Sequence, residues 1–366
     1  MATDRLGVLD GFRCVAIVSV VSYHYCYRFT IAAADKNYLP FYEFSPFFSH
    51  GYYGVQFFFV ISGFVIFRTL SRTRSPLIFA EKRAIRLLPS LLLCSLLTFA
   101  FVSVIDHDYA LPFFHINTLL SFIPSITMTP PILWNFLFER NDIGYIDGAY
   151  WSLFTEGFFY LFGALIYFRQ PSRFVQNWIV VTLLLNILRV LTSPKLAFFF
   201  PAEIDVIFAG IYRALFLLTF TSWIYFALGI FFYTIFMGEK PSAVTTVALA
   251  MSTILEFYFL GDNILRLLFL IIIALFAVMV YRPHWLNFLR ERIFTQIGLA
   301  SYPLYLLHEN IGVLLIHRLG TGLGTALTFV VTVLVMIFLI LLSKFLHEKY
   351  ERPCMEFLSR RLINKS

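Results

Sequence analysis

Long apolar stretches separated by short polar connections run along most of the chain. A helix needs about 20 mostly apolar residues to cross a bilayer. Ten stretches are close to that length, namely residues 11–31, 51–69, 87–105, 150–168, 176–193, 215–237, 242–260, 264–281, 296–316 and 323–343. The pattern predicts an all-α, polytopic membrane protein with about ten transmembrane helices.

One stretch, residues 106–149, interrupts this pattern. It carries acidic residues at both ends and Pro124, Pro130 and Pro131 in its apolar middle. We interpret it as an extramembrane or re-entrant segment, with a further span as the open alternative. Because the chain shows no internal repeat, low-complexity tract or Gly/Ser linker, we predict a single integral-membrane domain over residues 1–366, without an appended extracytoplasmic domain.

Composition narrows the class of protein further. Apolar residues make up 60% of the chain and charged residues 13%, whereas an ordinary soluble domain has roughly 25% charged residues. The mean hydropathy is +0.80. The net charge of +7 comes without a polybasic tail, which argues against a nucleic-acid partner. The four cysteines show neither metal-ligand spacing nor a disulfide framework, so no metal is expected.

Lysine and arginine positions predict the orientation, because cytoplasmic connections of membrane proteins are enriched in these residues. With the N-terminus in the cytoplasm, the inner side carries Arg13, a basic cluster within residues 68–86, and the C-terminal run from Lys344 to Lys365. The opposite orientation places the larger number on the translocated side. We therefore predict that both termini lie in the cytoplasm, with membrane lipids around the helices.

Ionisable residues inside apolar spans are costly, which makes them the first candidates for function. Arg13 and His24 are eleven residues apart, so on a helix their side chains share one face about 16 Å apart along the axis. Asp10 lies three residues before Arg13 and can pair with it. The plainer alternative is that Arg13 reaches back to the inner interface and His24 is a hydrogen-bonded core histidine.

A basic cluster lies at the start of the third predicted span. Lys82 and Arg86 are four residues apart, and Arg83 and Arg86 are three apart, so all three side chains can point at one site on a helix. Guanidinium groups bind phosphates well, which makes an anion site on the cytoplasmic side one interpretation. Ordinary enrichment of basic residues on the inner side is the other.

Two further polar groups enter apolar spans. Glu156 lies about a turn and a half into the span that begins near Trp151, and a carboxylate in apolar surroundings must pair or take up a proton. His308 lies near mid-membrane or beyond in the span that Tyr302 enters from the inner side. His24, Glu156 and His308 are thus predicted at similar depths, where they can carry out acid–base chemistry or form a buried polar network.

Five motifs occur in order along the chain. They lie at residues 9–24, 54–64, 82–89, 151–161 and 301–308. Their sequences and spacing, including the ten residues between Arg13 and His24, resemble those of the membrane acyltransferase-3 family, whose members modify cell-surface polysaccharides and related glycans. Two positions depart from the family pattern: Gly157 stands where the family has a second glutamate, and Lys82 stands where it has an arginine.

The resemblance implies acyl transfer, usually of acetyl, from cytoplasmic acetyl-CoA to a hydroxyl of a cell-surface glycan. The acceptor would be an exopolysaccharide, a lipopolysaccharide O-antigen or a lipid-linked sugar, at the inner membrane of a bacterium. Residues expected to bind acetyl-CoA are Arg13, Lys82, Arg83 and Arg86. His24 is expected to act as general base, with Glu156 or His308 orienting it. Tyr302, together with Ser301, is a candidate donor to the oxyanion. Acceptor contacts are expected in the outer segments 32–50 and 106–149.

A second class of function uses the same residues differently. In a proton-coupled exporter of glycans or lipids, the histidines and the carboxylate inside the membrane form a proton relay, and the basic cluster only sets the orientation. Release of coenzyme A from acetyl-CoA distinguishes an acyltransferase from such a transporter.

Overall fold

A computed structural model describes residues 2–29, 45–106, 111, 118–194 and 202–362. These residues form helices joined by turns and short loops, with no strand among them, so the all-α prediction is confirmed. The α-helices are α1 (Ala2–Tyr23), α2 (Ser45–Phe48), α3 (Gly54–Leu70), α4 (Pro76–Ile105), α5 (Phe122–Thr127), α6 (Pro131–Leu137), α7 (Trp151–Arg169), α8 (Phe174–Leu191), α9 (Ala202–Leu217), α10 (Trp223–Phe236), α11 (Ala243–Phe259), α12 (Asn263–Tyr281), α13 (Arg292–Leu299), α14 (Ser301–Gly320), α15 (Thr325–Leu346) and α16 (Arg352–Leu362).

Several of these helical segments are long and apolar enough to cross a membrane. Six qualify within the described part of the chain: Gly51–Leu70, Pro76–Ile105, Gly148–Arg169, Pro171–Leu191, Asn263–Tyr281 and Thr325–Arg361. Two bent pairs, Val206–Leu217 with Phe220–Phe236 and Arg292–Leu299 with Ser301–Gly320, raise the number to eight if each pair is one span. The protein is an integral membrane protein, while the predicted number of ten spans and the predicted orientation are not confirmed.

Several predicted spans differ from the observed helices. Residues 215–237 were expected as one helix, but they contain the end of α9, a short 3-10 turn and α10, with a bend of 63° between the two helical segments. Residues 296–316 were expected as one helix but form α13 and α14, which are bent by 69° at Ala300. The span predicted at 87–105 belongs to the longer helix α4, which starts at Pro76 and runs through the charged residues before its apolar part. Hydropathy registers only the apolar part, whereas backbone hydrogen bonds continue a helix through polar residues as well.

The segment 106–149 contains only short helices where it is described. Helices α5 and α6 have six and seven residues, well below the about 20 needed to cross a bilayer. A further span within the described residues 118–149 is therefore excluded. Of the predicted outer segment 32–50, residues 32–44 lie outside the described residues.

The chain divides into two compact units. The first contains Met1–Val55, Ala80–Phe154 and Asn287–Ser366, and the second contains Gln56–Phe79 and Thr155–Leu286. The prediction of a single domain over residues 1–366 remains a prediction. In the first unit, α1 packs along α13 and α14, and it meets the start of α3 closely at Gly54. A Cβ at Gly54 would collide with the carbonyl oxygen of Ala16, so glycine permits this close approach.

The second unit has an aromatic core. The rings of Trp178 and Trp223 stack with their centroids 4.5 Å apart, and those of Phe159 and Phe226 stack at 3.9 Å. A buried ion pair between Arg189 and Glu256 lies in the same unit.

Arg189 of α8 donates through Nη1 to Oε2 of Glu256 on α11 at 2.7 Å. The hydroxyl of Tyr225 donates to the other carboxylate oxygen of Glu256 at 2.9 Å. Arg189 also lies over the ring of Phe259, 4.0 Å from its centroid. Both oxygens of this buried carboxylate are thus bonded, as a charge in apolar surroundings requires.

Candidate active site

Two histidines from distant parts of the first unit meet in its interior. His24 follows directly after α1 and begins a π-helical turn, His24–Arg28, a conformation that often occurs at functional sites. His308 lies within α14 and is fully buried. Nε2 of His308 lies 3.1 Å from Nδ1 of His24. The sequence placed these two residues at similar depths, and the structure brings their rings into contact.

Neighbouring backbone carbonyls fix which ring nitrogens carry protons. Nδ1 of His308 lies 2.8 Å from the carbonyl oxygen of Tyr305, and because a carbonyl only accepts, this nitrogen donates. The neutral ring then presents a lone pair at Nε2. Nδ1 of His24 faces that lone pair and, at 3.0 Å, the carbonyl oxygen of Val20. It therefore carries a proton, which leaves Nε2 as the basic nitrogen of neutral His24.

A carboxylate lies on the basic side of His24. Oε2 of Glu309, the residue after His308, is 3.6 Å from Nε2 of His24. The two side chains retain 12% and 14% of their exposure, respectively, so both are largely removed from solvent. Tyr25 holds the two helical segments in register, because its hydroxyl donates to the carbonyl oxygen of His308 at 2.7 Å.

The loop before α7 is bonded to α14 at the level of these residues. Asn310 donates through its backbone N–H to Oδ2 of Asp147 at 3.0 Å and through Nδ2 to the carbonyl oxygen of Ile146 at 2.8 Å. Two tyrosine hydroxyls add bonds between the same segments: Tyr305 donates to Ala149, and Tyr150 donates to Leu306. This loop therefore forms a fixed wall beside the histidine pair.

Asp147 anchors that wall. Its Oδ1 accepts a hydrogen bond from the backbone N–H of Ala149 at 3.0 Å, and its Oδ2 accepts the one from Asn310. Complete burial raises the pKa of Asp147 to about 7, and the two backbone N–H groups act in the opposite direction. Asp147 has a structural role, because both of its oxygens are bonded to the backbone.

Arg13 pairs with Asp10, as the spacing predicts. Nη1 of Arg13 lies 2.5 Å from Oδ1 of Asp10, and both side chains keep about a quarter of their exposure. The helix carries Arg13 and His24 eleven residues apart, about 16 Å along its axis. Arg13 thus lies near the middle of α1, about three helical turns from the histidine pair.

Arg86 lies in a second charged cluster of the first unit. It pairs with Glu351, a carboxylate that is almost fully buried, and Glu351 also binds Nδ1 of His347 at 2.9 Å. His347 lies within electrostatic range of both Arg86 and Asp10. Arg13 and Arg86, two of the four residues predicted to bind the anion, are therefore associated with one charged region, which we call the inner cluster and define as Asp10, Arg13, Arg86, His347 and Glu351.

Tyr302 lies beside this inner cluster. Its hydroxyl donates to the carbonyl oxygen of Leu87 at 3.2 Å, and the guanidinium of Arg86 lies 5.6 Å from the centre of its ring. Lys82 and Arg83 are half-buried on α4, within about a turn of Arg86. The structure thus brings Tyr302 to Arg86, and its predicted role as oxyanion donor remains a prediction.

Glu156 belongs to the second unit. Its Oε1 accepts hydrogen bonds from Ser62 at 2.9 Å and from Tyr160 at 2.5 Å. These partners bond one oxygen of the carboxylate, in line with the sequence argument that a charge in an apolar span needs partners. The expectation that Glu156 orients His24 remains a prediction.

Sequence reasoning missed Glu309 and Asp147 as site residues. Glu309 carried a usable signal, because it is an acidic residue inside an apolar span and follows His308 directly. Asp147 carried a weaker signal, since it lies in a polar connection where acidic residues are common. Only the packing of the loop on α14 shows that it is buried.

Comparison with known proteins adds to this geometry. A family model described as an acyltransferase domain, that of the acyltransferase-3 family, matches residues 6–345. The chain belongs to this family. It is also similar to a protein named O-acetyl transferase from Shigella phage Sf6, with 28% identity over 255 residues that cover 68% of each chain. No solved structure matches the chain.

Membership of the acyltransferase-3 family, together with the candidate spans, supports a membrane O-acyltransferase. The match includes both histidines and the inner cluster except His347 and Glu351, which follow residue 345. The family resemblance expected from the five motifs is confirmed.

Proposed function

We propose that the protein is an O-acetyltransferase that moves the acetyl group of cytoplasmic acetyl-CoA to a hydroxyl of a cell-surface glycan, of the exopolysaccharide or lipopolysaccharide O-antigen type. The observation that carries the proposal is the His24–His308 pair, in which Nδ1 of His24 is held as a donor and Nε2 is left as a base. Similarity to an O-acetyl transferase supports acetyl as the transferred group. Because that relative comes from a phage of a bacterium, we place the protein in a bacterial inner membrane.

In the proposed chemical step, His24 acts as the general base. The acceptor hydroxyl gives its proton to Nε2 of His24 while its oxygen attacks the carbonyl carbon of the thioester. The tetrahedral intermediate collapses by breaking the carbon–sulfur bond, and the proton on His24 passes to the departing thiolate. The products are an O-acetyl ester and free coenzyme A. General-base help of this kind contributes about 10²–10⁴-fold.

The inner cluster is the site that we propose for the donor. Coenzyme A carries a pyrophosphate and a 3′-phosphate, and the basic residues suited to them are Arg13, Lys82, Arg83 and Arg86. Arg13 and Arg86 are already paired with carboxylates in this structure, so a bound phosphate has to compete with Asp10 and Glu351. The roughly 16 Å between Arg13 and His24 suits a donor with a long arm, because the thioester lies at the end of the pantetheine chain.

Turnover by purified protein tests the proposal. The protein in phospholipid nanodiscs receives acetyl-CoA radiolabelled in its acetyl group and the surface polysaccharide of its host cell. We expect release of the coenzyme A thiol and label on the polysaccharide. His24→Ala should lower this rate by about 100-fold or more. His284→Ala is the matched control, because His284 is an exposed histidine outside the first unit.

Two results contradict the proposal. If His24→Ala turns over at nearly the rate of the unmodified protein, His24 is not the base. If the unmodified protein releases no coenzyme A but carries glycan or lipid across proteoliposome membranes in response to a proton gradient, the protein is a transporter.

A further inference from the structure

The proposed reaction leaves one largely buried carboxylate near the base, that of Glu309, without a role. Oε2 of Glu309 lies 3.6 Å from Nε2 of His24, the nitrogen that receives the proton. The other buried carboxylate nearby, Asp147, has each oxygen bonded to a backbone N–H. Glu309 is thus the acidic group that faces the basic side of His24.

The position of the Glu309 carboxylate depends on Gly148. A Cβ built on Gly148 would lie 2.5 Å from Oε1 of Glu309, closer than van der Waals contact. The absence of a side chain at residue 148 therefore makes the space that the carboxylate occupies. Gly148 is itself fixed, because the loop that contains it is bonded to α14 through Asp147 and Ala149.

The interaction between Glu309 and His24 changes during the proposed reaction. While His24 is neutral, as its role as a base requires, Nε2 carries a lone pair and offers the carboxylate no proton. Once Nε2 takes the acceptor's proton, the ring is positively charged and Nε2 becomes a donor facing a carboxylate. An interaction that is stronger after proton transfer than before it lowers the barrier to that transfer.

We infer that Glu309 is a positioning residue that stabilises the charged imidazole formed when Nε2 of His24 takes the proton of the acceptor hydroxyl. This inference rests on the proposed function, because it assigns Glu309 a role through His24. Glu309 acts on His24 and not on the substrate.

The test separates the charge of Glu309 from its shape. Glu309→Gln keeps the size and removes the charge, whereas Glu309→Asp keeps the charge and shortens the side chain. The kcat and the KM for acetyl-CoA are measured in nanodiscs from the release of coenzyme A thiol. Glu356→Gln is the matched control, because Glu356 is an exposed carboxylate of the same unit that pairs with Arg352.

We expect Glu309→Gln to lower kcat by about 10- to 100-fold, the range expected for losing an opposite charge at this distance, with little change in KM. Glu309→Asp should retain more of the kcat than Glu309→Gln. If the side chain of Glu309 only fills the space over Gly148, Glu309→Gln should keep more of the kcat than Glu309→Asp, because glutamine has the same size as glutamate. That result would overturn the inference.

Separate measurements show whether each variant folds and whether His24 is the base. Thermal unfolding midpoints on the same samples identify any variant that does not fold. If Glu309→Gln does not fold, Gly148→Ala replaces it, because it keeps the charge but displaces the carboxylate. We expect several-fold lower kcat from folded Gly148→Ala, and an unchanged kcat contradicts the inference. If His24→Ala keeps its activity, the proposed function itself is contradicted. If His24→Ala is inactive but Glu309→Gln is fully active, only the role of Glu309 is contradicted.

Discussion

Nε2 of His308 lies 3.1 Å from Nδ1 of His24, although 284 residues separate them in the sequence. In this contact Nδ1 of His24 donates and Nε2 of His308 accepts. Nε2 of His308 is free to accept because the proton of that ring lies on Nδ1, which donates to the carbonyl oxygen of Tyr305. His308 thereby acts on His24 as an acceptor that holds Nδ1 as a donor. The basic nitrogen of His24 then points away from His308 and towards Glu309.

Removing the acceptor on His308 should lower the rate of acyl transfer. His308→Phe fills similar space but cannot accept from Nδ1 of His24, which then has only the carbonyl oxygen of Val20 as acceptor, so the imidazole is held less firmly in its working position. We expect kcat to fall about 10- to 100-fold, the cost of a misplacement of about 1 Å at a reacting group. His308→Gln offers a carbonyl oxygen and should retain more activity. Equal rates from the two variants would show that the acceptor has no part in catalysis.

Neutralising Arg86 should weaken acetyl-CoA binding and also destabilise the protein. Arg86→Gln leaves the buried carboxylate of Glu351 paired with His347 but without its arginine, and we expect a loss of about 1–3 kcal/mol in the free energy of unfolding. The double variant Arg86→Gln/Glu351→Gln removes both charges and should recover most of that stability. Its KM for acetyl-CoA should stay high, because the phosphate-binding group is still missing.

Two measurements distinguish an effect of these variants on coenzyme A binding from an effect on folding. Unfolding is followed in mixed detergent micelles, and binding is followed by titrating coenzyme A in a calorimeter. Recovery of coenzyme A affinity in the double variant would mean that Arg86 supports the fold and does not bind the donor.

The charge on Asp147 should make stability depend on pH. Burial raises the pKa of Asp147 to about 7, whereas in the unfolded chain the carboxyl releases its proton near pH 4. Between these values the folded state holds more protons than the unfolded state, so stability falls as the pH rises, by about 1.4 kcal/mol per unit from this group.

Asp147→Asn checks that pH dependence. The amide does not ionise, so the unfolding free energy of the variant should change less between about pH 4 and pH 7 than that of the unmodified protein. The variant should also be less stable at low pH, because one of the backbone N–H groups of Ala149 and Asn310 loses its acceptor, at a cost of about 1–3 kcal/mol. Parallel curves for the two proteins would show that Asp147 is already ionised at the low end of this range.

The ion pair in the second unit should contribute to folding only when both partners are present. Glu256→Ala leaves Arg189 buried without its carboxylate, and we expect a loss of about 3–5 kcal/mol in the free energy of unfolding. Replacing both Arg189 and Glu256 with leucine should restore much of the lost free energy of unfolding, because leucine side chains need no ionic partner in apolar surroundings. The outcome that contradicts this is a Glu256→Ala variant as stable as the unmodified protein.

The sequence alone determined the class of protein and indicated several of its candidate site residues. Apolar stretches of about 20 residues identify membrane helices because crossing a bilayer requires that length and composition within one segment. Charged residues inside such segments pointed to Arg13, His24 and His308, and the spacing of Asp10 and Arg13 predicted their pairing. All of these are local properties of the chain.

The tertiary structure decided which of these residues meet. The break at Ala300, the π-helical turn at His24 and the burial of Asp147 depend on how α1, α14 and the loop before α7 pack, and no local pattern specifies them. Glu309 shows the difference most clearly, because its place beside His24 requires the empty space at Gly148, more than 160 residues away. Contacts across that separation arise from packing, which joins segments that the sequence keeps apart.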